Sequence, residues 1–271
     1  MLELTFQGGV SIRLDAPESV AHAFEHLFGA CRADGGPRSP DSRMTIAVMR
    51  GDSDGLWSVR FDGILAAQFD SLSQILPFLE TTVCQFLLYH RADRLPLHAG
   101  AVRSERGAIV MPGEKGSGKS TLCLWLASRG WDYLGDELVW IDAEGRVEPF
   151  PKAAAIKEGS FELFGPAETF ESLTRGPLRY HRPSGGGVAV GTALSVEALI
   201  FPQFDPNGDS VFQPLRPEET LLCLSQMVFG GMARRPDRFP NLVALAERPA
   251  WVAVYRDARE VEEWLARGGT R

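Results

Sequence analysis

The residues best suited to chemistry are Gly113, Glu114, Lys115, Gly116, Ser117, Gly118, Lys119 and Ser120, followed by Thr121. They fit Gly-x4-Gly-Lys-Ser in full, a pattern that a chain of this length meets by chance roughly one time in a hundred. The flanks supply what the pattern needs. Ala108–Met111 reads as a buried strand just before the loop, and Thr121–Ser128 as a helix just after it. In that order the backbone N–H groups of the loop and helix start can wrap a phosphate, and the helix dipole favours its negative charge. Glycines allow the close approach. Lys119 would meet the β- and γ-phosphates, and the Ser120 hydroxyl would reach Mg²⁺. A dinucleotide fingerprint fits less well, because Gly116-Ser117-Gly118 is followed by Lys119-Ser120-Thr121 and lacks the third glycine.

Asp136-Glu137 follows Ser120 by sixteen residues. A helix of about ten residues and a strand of about five fill the interval, and a right-handed crossover returns the second strand parallel to the first. Its carboxyl end then shares an edge with the loop, where α/β sheets bind ligands. One carboxylate can orient Mg²⁺ through water, and the other can accept a proton from an attacking hydroxyl. His98, within Leu97-His98-Ala99-Gly100, ends or interrupts the strand before the loop strand. Taken alone it reads as a structural hydrogen-bonder, yet a neighbouring strand would carry it to the acid pair.

Phosphoryl transfer needs positive charge on the equatorial oxygens, so an arginine or lysine is expected nearby. Candidates are Lys152, Lys157, Arg179 and Arg216, and a cluster of Arg175, Arg179, His181 and Arg182 ahead of Ser184-Gly185-Gly186-Gly187, read either as a lid or as a surface loop. Solvated side chains are the plain alternative for both lysines. Trp125, Trp131, Trp140, Phe161 and Phe164 read as core. With no Asn-Lys-x-Asp guanine signature, ATP is preferred over GTP. With no Leu-Ser-Gly-Gly-Gln, a transporter ATPase is disfavoured.

The elements that must position these residues fall into two blocks. Residues 1–92 read as a small α+β unit: a hairpin of Leu2–Phe6 and Val10–Leu14 around Gly8-Gly9, an amphipathic helix over Ser19–Phe28 capped by Asp15 or Ser19, and a loop over Ala30–Asp41. Strands follow at Met44–Met49, Leu56–Phe61 and Ile64–Phe69, then a long helix over Ser71–His90. Residues 93–271 read as an α/β domain. Its strands are Leu95–Val102, Gly107–Met111, Trp131–Leu134, Leu138–Ile141, Val196–Phe201 and Trp251–Tyr255. Its later helices are Pro217–Val228, Phe239–Ala246 and Asp257–Ala266, and residues 142–192 are broken by Pro and Gly.

The whole chain has 271 residues and a formal charge of −7, with no long Lys/Arg run, which disfavours general nucleic-acid binding. No apolar run approaches the roughly 20 residues of a membrane span, and the amino terminus has no signal-peptide pattern. Cys31, Cys84, Cys123 and Cys223 have no metal or redox spacing and read as small buried hydrophobes. A cytoplasmic protein without a membrane partner is expected.

At Leu97-His98-Ala99-Gly100, Gly113–Thr121, Arg129-Gly130 and Gly135-Asp136-Glu137, over about 45 residues, the chain resembles the HPr kinase/phosphorylase family in its carboxyl-terminal domain. As a whole it is similar to the HprK-related kinase A group. The resemblance implies an HPr kinase/PEP carboxykinase-like P-loop kinase domain, ATP and Mg²⁺, and Asp136 as base, with Glu137 and Ser120 at the metal. It places His98 beside the acid and suggests a serine of a small protein or peptide as acceptor, with a homo-oligomer as an option. A small-molecule alcohol as acceptor, or a nucleotide-binding scaffold or ATPase switch, are the alternatives. Departures are Glu137 where the family has Asp, the absence of a downstream metal Glu (the nearest stretch is Ile156–Gly159), and no recognisable dephosphorylation signature or matching amino-terminal domain. Kinase activity is therefore implied more firmly than phosphorylase activity.

Overall fold

In a computed structural model of the chain, the residues described are 1–33, 39, 42–52, 55–173, 176–183 and 188–270. In chain order the strands are β1 (Leu2–Phe6), β2 (Val10–Asp15), β3 (Arg43–Arg50), β4 (Trp57–Phe61), β5 (Ile64–Phe69), β6 (Leu95–Leu97), β7 (Ala99–Arg103), β8 (Ala108–Pro112) and β9 (Asp132–Gly135). They continue with β10 (Val139–Ile141), β11 (Arg146–Glu148), β12 (Ala154–Lys157), β13 (Thr169–Ser172), β14 (Gly176–His181), β15 (Leu194–Phe204), β16 (Val211–Pro214) and β17 (Ala250–Tyr255). The helices are α1 (Glu18–Phe28), α2 (Ile75–His90), α3 (Lys119–Ser128), α4 (Pro217–Gln226), α5 (Phe239–Ala246) and α6 (Ala258–Ala266). This is a mixed α/β protein with several sheets. None of the described helices is long and apolar enough to cross a membrane.

The chain divides into two compact units: Met1–Arg91 with Lys152–Arg182, and Ala92–Pro151 with Pro183–Arg271. That differs from a single cut after residue 92, because residues 152–182 join the first unit. The broken-looking stretch 142–192 contains β11 and a three-stranded antiparallel sheet, ordered β12-β14-β13. What ties that sheet to the first unit is polar. Lys152 is fully buried; its Nζ donates to Glu80 Oε1 at 2.8 Å, and Tyr180 Oη donates to Glu80 Oε2 at 2.9 Å. The Ala153 N–H donates to the Leu27 carbonyl at 2.8 Å. Lys152 is thus a core ion pair rather than a solvated lysine.

The rest of the first unit is a five-stranded sheet, β1-β2-β3-β4-β5, antiparallel except for the β2–β3 pair that α1 connects. Gly8 and Gly9 take φ +84° and +68° to close the first hairpin. Phe24, Leu27 and Phe28 of α1 and Leu79 and Val83 of α2 are buried together with Leu4, Ile12 and Ile46. Neither expected residue caps α1. The helix starts one residue early, at Glu18 after Pro17, with no side-chain cap. Part of the expected loop over Ala30–Asp41 lies outside the described residues.

In the second unit the path is β6-β10-β11-β15-β8-β7-β9, with β17 beside β15 and β16 beside β17. β15 is parallel to both β8 and β17. It runs on through Pro202, because beyond Leu199 only β17 pairs with it and the missing proline N–H breaks no β8 ladder. β9 does not pair with β8. β7 lies between them, antiparallel to both, so β9 is parallel in direction to β8 at one strand's remove. The apolar core beneath includes Ala99, Ala101, Val110, Leu134, Val139, Leu199, Leu242 and Leu245.

Candidate functional site

The three-strand run β8-β7-β9 determines which residues meet. β8 and β9 end, and β7 begins, on the same edge, because Ala99 pairs with Pro112 and Ala101 pairs with Gly135. The loop after β8, His98 before β7, and Asp136-Glu137 after β9 therefore gather on that edge. The strand expected over Leu95–Val102 is broken at His98, whose backbone N–H leaves the ladder and donates to the Met227 carbonyl at 2.7 Å. Its carbonyl accepts from the Gly113 N–H at 3.3 Å, tying histidine to loop.

The loop is tightly wound. Gly118 caps α3 in the left-handed region at φ +96°, and the Leu122 N–H donates to its carbonyl at 2.9 Å. A Cβ on Gly118 would collide with Tyr255 Oη and lie 3.1 Å from Phe204 Cβ; one on Gly113 would lie 2.7 Å from Ser117 Oγ. The Phe204 N–H donates to the Ser117 carbonyl at 3.1 Å, so the end of β15 holds the loop from outside. Lys119 is buried, with Nζ donating to the Glu114 carbonyl at 2.7 Å. Ser117 Oγ is buried without a hydrogen-bond partner among the described residues, a polar atom turned into the loop. Ser120 and Thr121 are half-buried in the first turn of α3, while Glu114, Lys115 and Gly116 are exposed.

Asp136 is buried and Glu137 half-exposed. Gly135 is extended at φ +153° against the Phe150 carbonyl, and Glu137 takes φ +72°, unusual for a residue with a side chain, so the chain turns sharply around the acids. Gly100 leaves room for Cys123: a Cβ there would collide with Cys123 Sγ and touch Asp136 Oδ1 at an ordinary contact distance of 3.5 Å. His98 Nε2 is 3.7 Å from Glu137 Oε1, and its ring lies 5.6 Å from that of Phe229. Burial lowers the His98 pKa, the Lys119 ammonium lowers it further, and Glu137 and Glu114 oppose both. Neutral imidazole is therefore the favoured form at neutral pH.

Arg216 is largely exposed and held by Glu218 at 3.2 Å and Glu219 at 3.0 Å, completing the start of α4. Its backbone N–H and guanidinium both bond Glu219, so local helix capping takes the charge offered for phosphate. Lys157 and Arg179 belong to the first unit. Arg179 donates to Thr169 Oγ1 at 3.1 Å and lies 4.1 Å over the Phe161 ring. Arg175 and Ser184–Gly187 lie outside the described residues. Sequence reasoning missed Tyr255 and Phe204, which back the loop, and Phe229, which faces His98. The pair Gly230-Gly231 directly after Phe229 was the available signal for a built turn there.

The chain matches no family model and no curated protein. Among solved structures it is similar to the HPr(Ser) kinase/phosphatase from Coxiella burnetii, at 13% identity and a TM-score of 0.26, over 64% of this chain and 89% of that one. Similarity at that level leaves function to be read from the site itself.

Proposed function

We propose that the protein is an ATP-dependent kinase that transfers the γ-phosphoryl group to a hydroxyl acceptor. The observation that carries this reading is one sheet edge bearing a Gly-x4-Gly-Lys-Ser loop, a buried carboxylate at Asp136 and a histidine that meets the loop at Gly113 and the neighbouring Glu137. In this reading the loop N–H groups from Gly113 to Thr121 and the α3 dipole hold the phosphates. Lys119 exchanges the Glu114 carbonyl for a phosphate oxygen.

The donors fit Mg²⁺. That ion takes one or two carboxylates and completes its shell with phosphate oxygens and water. Glu137 and Ser120 offer such a partial set, and no group of three His, Cys, Asp or Glu forms a full cage among the described residues. When bound, Mg²⁺ would supply positive charge to the phosphate oxygens. Asp136 takes the proton of the acceptor hydroxyl as its oxygen bonds to the γ-phosphorus. The bridging P–O bond breaks and ADP leaves.

The acceptor is proposed, from the sequence resemblance, to be a serine of a small protein or peptide. The test is incubation of the protein with ATP and a lysate of its own organism, followed by mass spectrometry for new phosphosites. A labelled serine that is absent with Lys119→Ala supports the kinase. Tight nucleotide binding with phosphate release but no labelled acceptor would favour an ATPase switch.

A further inference from the structure

Phosphoryl transfer calls for an arginine at the phosphate; of the arginines expected there, Arg216 is held by Glu218 and Glu219 of its own helix, and Arg179 packs on Phe161. We propose that Arg234 contacts the γ-phosphate. This rests on the kinase reading above.

The stretch after α4 runs antiparallel to β6: Leu97 bridges Val228, the His98 N–H donates to the Met227 carbonyl, and the Phe229 N–H donates to the Pro96 carbonyl at 3.1 Å. Phe229 thus faces the His98 ring on one side while Glu137 meets its Nε2. The chain then reverses at once. Gly230 and Gly231 both take left-handed φ, +75° and +74°, which side-chain-bearing residues disfavour. The Gly231 N–H donates to the Val228 carbonyl at 2.9 Å, and the Arg234 N–H to the Gly231 carbonyl at 3.2 Å. This double turn folds the Arg234 stem back over Gly230, where a Cβ would lie 3.3 Å from Arg234 Cδ.

Three arginines follow this turn closely, and they are treated differently. Arg235 donates to the Arg94 carbonyl and Arg238 to the Ala92 carbonyl, with Asp237 also holding Arg238. Those two anchor the segment. Arg234 is exposed, and its guanidinium has no partner among the described residues. An anchored turn that holds an unpaired guanidinium five residues beyond the ring packed on His98, its stem folded back over the residue next to that ring, is suited to phosphate, which arginine binds through a planar fork.

The experiment is calorimetric titration of MgATP and MgADP into the wild type, Arg234→Ala and, as a control, the exposed Arg248→Ala. If Arg234 meets the γ-phosphate, Arg234→Ala weakens ATP about tenfold or more while ADP changes little, because a charged hydrogen bond to the γ-phosphate alone is lost. Arg248→Ala behaves as wild type. An unchanged ATP-to-ADP affinity ratio in Arg234→Ala overturns the assignment while leaving the nucleotide site intact. Failure of the wild type to bind either nucleotide overturns the kinase reading, and this assignment with it.

Discussion

At Gly118 three constraints meet: a left-handed φ, the Tyr255 hydroxyl, and the start of α3. Gly118→Ala is expected to cost about 1–3 kcal/mol through backbone strain and to abolish ATP binding, since the loop cannot close around phosphate with Tyr255 displaced. Denaturant melts and nucleotide titration check both parts. The cysteines give a second test at this scale. Cys123 lies buried beneath the loop, where burial first and then the Asp136 charge push its thiol pKa well above the ordinary value. Cys31 is likewise raised by burial. Because only the thiolate reacts, and higher pH is needed to form it in the folded state, both should resist iodoacetamide at mildly alkaline pH until the protein unfolds. The half-exposed Cys84 and Cys223 should react before either of them. Peptide mass spectrometry before and after denaturant reads the order.

Among the elements, those whose signal is local were legible. The first hairpin, β5, α5 and the strand–loop–helix around Gly113–Thr121 follow from alternation, helical periodicity and glycine placement. What escaped depends on tertiary partners. β12–β14 lie in a stretch full of Pro and Gly, and form because residues distant in sequence supply Glu80 and the Leu27 carbonyl. The exposed strand β16 carries too little apolar pattern to announce itself. In the candidate site, Asp136 and Lys119 are proposed from motif and spacing and His98 from the family resemblance, whereas Phe229 and Tyr255 reach that sheet edge only through strand order. The Glu80–Lys152 pair makes the hidden part testable. Lys152→Met strands a buried carboxylate and should cost about 3–5 kcal/mol, while Lys152→Met with Glu80→Leu should regain most of it. Urea unfolding of the three proteins measures this; equal stability of both variants would contradict the pairing.

For the molecule as a whole, the chain passes from the first unit to the second, back, and out again. A fragment of residues 93–271 would keep residues 152–182 without Glu80 or α1. Limited proteolysis of that fragment should cut within 152–182, whereas the full chain should protect the buried β12 and β14. The formal charge of −7 sets a second whole-molecule problem, because an acidic protein must hold a polyanion. Under the proposed function, Lys119, the loop N–H groups and Arg234 would solve it locally, where short range outweighs a screened net charge. Everything rests on the step assigned to Asp136. Transfer of ³²P from γ-labelled ATP to an acceptor, compared between wild type and Asp136→Asn with nucleotide affinity measured in parallel, tests it most directly. With Asp136 as the proposed base, transfer should fall about 10²–10⁴-fold with affinity retained; equal transfer by the two proteins would contradict that role.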